Sequence, residues 1–334
     1  MIFQSHGKIK IFGIFLLILF IVWFMLNFFE SARNPDMKLG VSFDPEYAGS
    51  LSMDPAEVFR LLADDWQFRY FRLSLPWDKV ESVRGTFDFT EMDYFLSEAQ
   101  KRGARVMLAI GNKTPRWPEC HHPGWVASLP PAEFRAALLN YLSVAVEHYK
   151  DNPAIEMWQV ENEPFLAFGN CTRLTNDELR GEVALVKKID PVHPVLVADS
   201  GELTLWNVTA RAGDLFGMTM YRVVWSKYFG YWSYDWLPPS FYRLKLWLAG
   251  RPLQSSYVVE LQAEPWAQNG SLDKMSIEEQ NKSMDLVRLR KNLDYAKRVG
   301  APRVYLWGGE WWAWLLKNGH NEIPDFVAGL NSQN

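Results

Sequence analysis

Short apolar runs alternate with amphipathic stretches along most of the chain. Lys38–Phe43, Arg69–Leu75, Arg105–Gly111, Ile155–Val160, Pro194–Asp199, Leu215–Tyr221, Ser256–Glu260 and Arg303–Gly308 read as eight strands. Brief continuous apolar segments suit strands covered on both faces. Helical spacing fills the gaps between them. Asp54 and Pro55 supply the cap and first residue of one helix. Thr90–Arg102 stops at Gly103, a C-terminal signal. Pro131–Lys150 lines up Phe134, Leu138, Tyr141, Leu142, Ala145 and Tyr149 on one face. Asp177–Ile189 follows a cap at Thr175 or Asn176. Further helices are expected near Leu203–Ala212 and Ser240–Leu248, over Ser276–Val299 before Gly300, and over Pro324–Leu330. Strands alternating with helices predict parallel βαβ units, and eight of them predict an α/β fold of the (β/α)8 (TIM) barrel type. Neither a GxGxxG nor a phosphate-loop motif is present, which disfavours a doubly wound nucleotide-binding sheet.

The pattern breaks at the N-terminus. Ile11 to Phe29 is apolar throughout except for Gly13 and Asn27. At 1.5 Å per residue such a run can span a ~30 Å hydrocarbon core. Lys8 and Lys10 precede it, so residues 1–10 are expected in the cytoplasm and the remainder outside. A cleaved signal peptide competes with this reading. The run exceeds the usual apolar length of such peptides, and Glu30-Ser31-Ala32 is a poor cleavage site. The expected organisation is thus a transmembrane signal anchor over residues 11–29, a short tether over 30–37 and a barrel domain over 38–334.

Composition narrows the function. The 334 residues carry 35 Lys+Arg against 39 Asp+Glu, a formal net charge of -4, so no basic footprint for nucleic acid exists. Two cysteines make neither a disulfide scaffold nor a zinc site. Cys120 and Cys171 fall in loops expected at the same barrel end, and an extracytoplasmic domain permits a bond between them, with two free thiols as the alternative. His121 and His122 beside Glu119 read as loop residues rather than metal ligands, and no cofactor is expected. Sixteen tryptophans point to stacking on flat partners, sugars before bases given the charge.

Barrel sites lie where strands end. Those ends carry Arg72 with Trp77, Asn112, Asn162 with Glu163, Asp199, Tyr221, Glu260, and Trp307 with Glu310. This set lacks the Ser-His-Asp or Cys-His arrangement of acyl transfer. Two carboxylates across a barrel fit glycoside hydrolysis, in which one protonates the departing oxygen and the other attacks the anomeric carbon. Blander readings exist beside these. Arg72 can be a structural arginine, Asp199 a helix cap, Asn112 a turn residue and Glu310 a loop residue. Trp77, Trp117, Trp125, Trp225, Trp266, Trp307, Trp311, Trp312 and Trp314 all fall at or after strand ends, and at least two are expected to form sugar platforms.

The segment Trp158-Gln159-Val160-Glu161-Asn162-Glu163-Pro164 resembles the strand-four motif of the clan A retaining glycoside hydrolases, which include the cellulase-like family five. Val258-Val259-Glu260 resembles their strand-seven nucleophile and Trp307 their strand-eight sugar floor. Arg72 and Tyr221 also match clan positions, and the likeness runs from Leu39 to Trp314. The resemblance implies Glu163 as acid/base and Glu260 as nucleophile. It implies Asn162 on the sugar 2-hydroxyl, and Arg72 with Tyr221 orienting Glu260. No glycine soon follows Glu260, so Glu264 stays open as its substitute, as does Glu161 for Glu163. The expected protein is a membrane-anchored retaining glycoside hydrolase acting on a β-linked glycan. A catalytically silent glycan-binding barrel and a transglycosylase are the alternatives.

Overall fold

The computed structural model describes residues 3–28, 34–169, 171, 173–268 and 270–331. Eight parallel strands close a barrel: β1 (Lys38–Phe43), β2 (Tyr70–Ser74), β3 (Arg105–Ile110), β4 (Ile155–Val160), β5 (Val195–Asp199), β6 (Leu215–Met220), β7 (Ser256–Gln262) and β8 (Arg303–Trp307). Each strand lies beside the next in sequence, and β8 returns to β1. Register places Ser42 opposite both Arg72 and Trp307, so these three share the upper level of the barrel.

The barrel interior is filled by Met107, Met157, Leu196, Ala198, Val259 and Tyr305. Small residues make room for the large ones. A Cβ on Gly40 would lie 2.6 Å from the Tyr305 ring, and one on Gly217 would lie 2.7 Å from Val259. The main apolar shell sits between strands and helices. There Leu142, Val160, Val186 and Val197 are fully buried. Helix ends follow the sequence signals. Asp54 caps Pro55–Arg60, Thr175 and Glu178 form a capping box on Asn176–Ile189, and left-handed Gly250 and Gly300 end their helices.

Several expected elements differ. The helix near Leu203–Ala212 shrinks to Thr209–Ala212. Asp199 and Ser200 hold the preceding loop instead, through Thr204 Oγ1 and Trp206 Nε1. Ser276–Val299 divides into Ile277–Asn281 and Leu286–Val299, because Asp285 caps the second helix by accepting from Arg288 N at 2.7 Å. The pattern also gave no sign of the hairpin Val223–Ser226/Gly230–Ser233, or of the helices Pro45–Ser50 and Gly309–Lys317.

The N-terminal run forms a helix, Phe3–Phe28. Its described side chains cover residues 12 to 26, and Phe12 through Met25 are largely exposed. Among the described residues no helix is long and apolar enough to cross a membrane. Residues 1, 2 and 29–33, parts of the expected cytoplasmic end, anchor and tether, lie outside the described residues. Where the chain is described again it packs on the barrel: Asn34 N donates to Lys297 O at 3.0 Å and Met37 is buried.

Candidate active site

At the end of β4 the chain turns left-handed twice, at Glu161 (φ 60°) and Glu163 (φ 46°). Non-glycine residues hold this conformation only where the surroundings fix it. Glu161 is fixed by backbone donors, Asn112 N at 2.8 Å and Lys113 N at 2.7 Å. Gly111 makes that approach possible, since a Cβ there would lie 2.5 Å from Glu161 Oε1. Glu161 faces Glu182 on the surrounding helix, and burial with that neighbouring carboxyl raises its pKa well above the usual range. Its carboxyl oxygens are thus taken up by the Asn112 and Lys113 backbone.

Glu163 is buried and accepts from Thr219 Oγ1 of β6 at 2.8 Å. Its backbone carbonyl accepts from Lys113 Nζ at 3.0 Å. Burial, then the charges of Glu260 and Glu119, push its carboxyl well above the usual range.

Glu260 reaches the interior through a register shift. Met218 pairs with Val258 but Thr219 pairs with Glu260, and on the other side Val304 pairs with Val258 but Leu306 with Leu261. The extra residue lets Val259 fill the core while Glu260 also turns inward. Arg72 NH1 donates to Glu260 Oε1 at 2.6 Å, and Tyr221 OH donates to Oε2 at 2.6 Å. Burial and the adjacent Glu260 raise the Tyr221 phenol well above its ordinary value, so it stays a donor. Arg72 also donates from Nε to Gln159 Oε1 at 2.8 Å and from NH2 to Asn162 Oδ1 at 2.9 Å. One guanidinium thus ties β2, β4 and β7 together. The result is a carboxyl whose pKa is raised, Glu163, beside a Glu260 held by two donors, an arrangement that acid-plus-nucleophile chemistry can use.

This predicts a pH profile. An acid role for Glu163 requires its proton, and its raised pKa would keep that proton beyond the range where ordinary carboxyls ionise. Activity then falls as pH rises through the Glu163 pKa, an alkaline limb well above 4.5. Measured kcat/KM against pH should lose that limb in Glu163→Gln.

Other expected site residues separate. Asn162 joins the site, its Nδ2 donating to Glu119 Oε2 at 3.4 Å. Trp266 is half-buried at the mouth, its ring edge-on to Tyr221 at 5.5 Å. Trp77 does not reach the mouth. It is fully buried among Trp125, Phe134 and Tyr141, and donates to Glu81. Asn112 turns sideways, its Nδ2 to Cys120 Sγ and its Oδ1 to His122. Asp199 locks its own loop by accepting from Ser200 N, Thr204 and Thr209. Trp311 and Trp312 are buried helix residues, donating to Gln280 and to Ala263 O. Trp117 is 66% exposed, its ring edge-on to Phe168 at 6.1 Å.

Glu264, the other carboxyl after β7, is engaged elsewhere. It pairs with Arg116 at 2.5 Å, and Glu310 accepts from the same guanidinium at 2.9 Å. Arg116 stacks between Tyr47 (3.7 Å) and Trp307 (4.0 Å). Glu310 is fully buried, which pushes its pKa to about 7. Sequence reading missed Arg116 and did not place Glu119 at the site. Glu119 is buried beside Glu163 and Glu260, and burial raises it to about 8. Two acids after strand ends, Glu264 and Glu310, were the one hint that a cation had to stand between them.

Cys120 and Cys171 form the expected disulfide, with Cα atoms 5.4 Å apart, and stitch the loops after β3 and β4. Closing 51 residues stabilises by roughly 4 kcal/mol in the chain-entropy model. Reduction should lower Tm by on the order of 10 °C, read by differential scanning fluorimetry with and without dithiothreitol.

Comparison with known proteins bears on this arrangement. The family model "Glycosyl hydrolase family 10" matches residues 54–183. The "Probable mannan endo-1,4-beta-mannosidase F" of Emericella nidulans is 27% identical over 130 residues, 35% of this chain and 28% of that protein. The beta-galactosidase BgaH of Haloferax lucentense is 26% identical over 145 residues, 38% of this chain and 21% of that protein. The chain resembles the clan A retaining glycoside hydrolases. It spans about a quarter of the length of these curated relatives. Solved structures superpose along most of the chain. Xylanase 10B from Thermotoga petrophila, in complex with xylobiose, gives a TM-score of 0.55 at 17% identity over 82% of both chains. A beta-galactosidase from Bacillus circulans gives 0.59 at 15% identity over 83% of this chain and 51% of that one. These structures share the fold.

Proposed function

We propose that the protein is a retaining glycoside hydrolase acting on a β-linked oligo- or polysaccharide, with Glu163 as acid/base and Glu260 as nucleophile. The observation that carries this reading is the pairing of a buried, proton-retaining Glu163 with a Glu260 held by Arg72 and Tyr221. In the first step a Glu260 oxygen bonds to the anomeric carbon. The glycosidic C–O bond breaks, and its electron pair goes to the departing oxygen, which takes the Glu163 proton. In the second step Glu163, now a base, removes a proton from water. The resulting hydroxyl bonds to the anomeric carbon and the Glu260 ester bond breaks. Two inversions give net retention. In this reading Asn162 donates to the hydroxyl next to the anomeric carbon, and Trp266 supplies an aromatic face.

The test is cleavage of a panel of aryl β-glycosides, β-glucans, mannans and xylans by the full chain, beside Glu163→Gln and Glu260→Gln. Cleavage by the parent that both variants lose supports the reading. Tight glycan binding without cleavage by any of the three overturns it.

The reading includes a membrane anchor over residues 11–29, with the barrel outside the cytoplasm. Its support is the apolar run and the exposure of Phe12 to Met25. The full chain should then stay in the pellet after alkaline carbonate extraction of cell membranes. Recovery in the supernatant contradicts the anchor.

A further inference from the structure

The mouth of the barrel is asymmetric. On the β1–β2–β8 side Arg116 fills it. The guanidinium lies over Trp307 at 4.0 Å, with Tyr47 on its other face at 3.7 Å. Glu264 and Glu310 clamp it from the ends of β7 and β8. The Arg116 backbone is pinned as well: its carbonyl accepts from Glu119 N at 2.8 Å and lies 3.1 Å from His121 Nε2. The space left between Arg72, Ser74, Arg116 and Trp307 is about 10 Å³. That is room for one water and far too little for a sugar ring. The β4 side is different. Trp117 is 66% exposed and Phe168 40% exposed. Phe168 lies 6.1 Å from Trp117 and 6.4 Å from Trp266.

Taken with the acid and nucleophile assignments above, on which this step rests, the asymmetry has a direction. Glu163 protonates the departing oxygen, so the departing sugars lie past Glu163, toward Phe168 in the same loop. The retained sugar lies over Glu260, and the Arg72–Trp307 side beyond it is closed by Arg116. We propose that Arg116 is a specificity-determining wall that ends the cleft beyond one retained sugar, so that the protein removes single units from non-reducing chain ends. The aromatic faces of Trp117, Phe168 and Trp266 then carry the departing chain. A guanidinium suits the wall because it stacks flat on an aromatic ring and takes two carboxylates in fixed geometry, which lysine cannot do.

The test gives the full chain reducing-end-labelled β-1,4-linked cello-, manno-, xylo- and galactohexaose, with the matching aryl β-monoglycosides. The wall predicts a labelled pentaose as first product, exceeding shorter labelled products by roughly tenfold or more. Arg116→Ala should shift the first labelled products to trimers and tetramers, and Tyr47→Ala, which frees one face of the guanidinium, should do so partially. Cleavage of an aryl monoglycoside with the hexaoses left whole also supports a one-sugar pocket, provided Glu260→Gln abolishes it. Internal cutting by the parent overturns the wall while leaving the glycosidase reading intact, and needs no variant to fold. If the parent cleaves nothing, it is the glycosidase reading that fails, and the wall falls with it.

Discussion

Glu260→Gln should lower kcat/KM by about 10⁴-fold or more, the scale on which removing a covalent nucleophile acts in other enzymes. Glu163→Gln should cost roughly 10²–10⁴-fold, the range for a general acid. The two losses differ in kind. Without the Glu163 proton, substrates with poor leaving groups suffer most, and activated aryl glycosides still form the glycosyl-enzyme. Without the Glu260 carboxylate no leaving group helps. Steady-state kinetics on an alkyl and a dinitrophenyl β-glycoside separate these outcomes. Glu264→Gln removes one clamp on Arg116 rather than the attacking atom, so its loss should be much the smaller. A larger loss for Glu264→Gln than for Glu260→Gln would reverse the assignment.

Arg72→Leu should damage stability and activity together. The guanidinium is fully buried and donates to Gln159, Asn162 and Glu260. Its removal leaves a carboxylate and two amide oxygens in the barrel interior with a partner gone. Breaking a buried ion pair from one side costs about 3–5 kcal/mol. Tyr221 would still donate to Glu260, but the side chain would lose its position. Arg72→Lys restores the charge without the three-way fork. It should recover more of the denaturation midpoint than of kcat. Equal recovery of both would make Arg72 a structural residue only. Urea denaturation and turnover measured on the same preparations decide between the two.

The barrel was readable because each strand is a short apolar run bounded by polar turns or glycine, and β4 runs from Ile155 to Val160 as expected. Caps were readable for the same local reason, as at Asp54 and Thr175. What depended on distant partners was not. Strict alternation cannot place both Val259 and Glu260 inside. Only the shift against β6 and β8 does so. Trp77 and Asp199 sit at strand ends like true site residues. Yet Trp77 packs into the outer shell and Asp199 into its own loop. The helix Gly309–Lys317 was hidden behind Gly308-Gly309, which read as a loop. It carries Trp311 and Trp312 into the core, away from the cleft. Arg116 was invisible because its meaning comes from Tyr47, Glu264, Trp307 and Glu310, which only the closed barrel brings together.

The central claim is that Glu260 becomes covalently attached to the sugar, and the most direct measurement traps that species. The full chain is incubated with 2-deoxy-2-fluoro β-glycosides bearing a dinitrophenyl leaving group, the fluorine slowing release more than attachment. Peptide mass spectrometry then locates the adduct. The account predicts one fluoroglycosyl unit, carried on the peptide that contains Val258-Val259-Glu260 and fragmenting to Glu260. An adduct on Glu264 or Glu163, or glycoside turnover with no adduct and an inverted anomeric product, would contradict it.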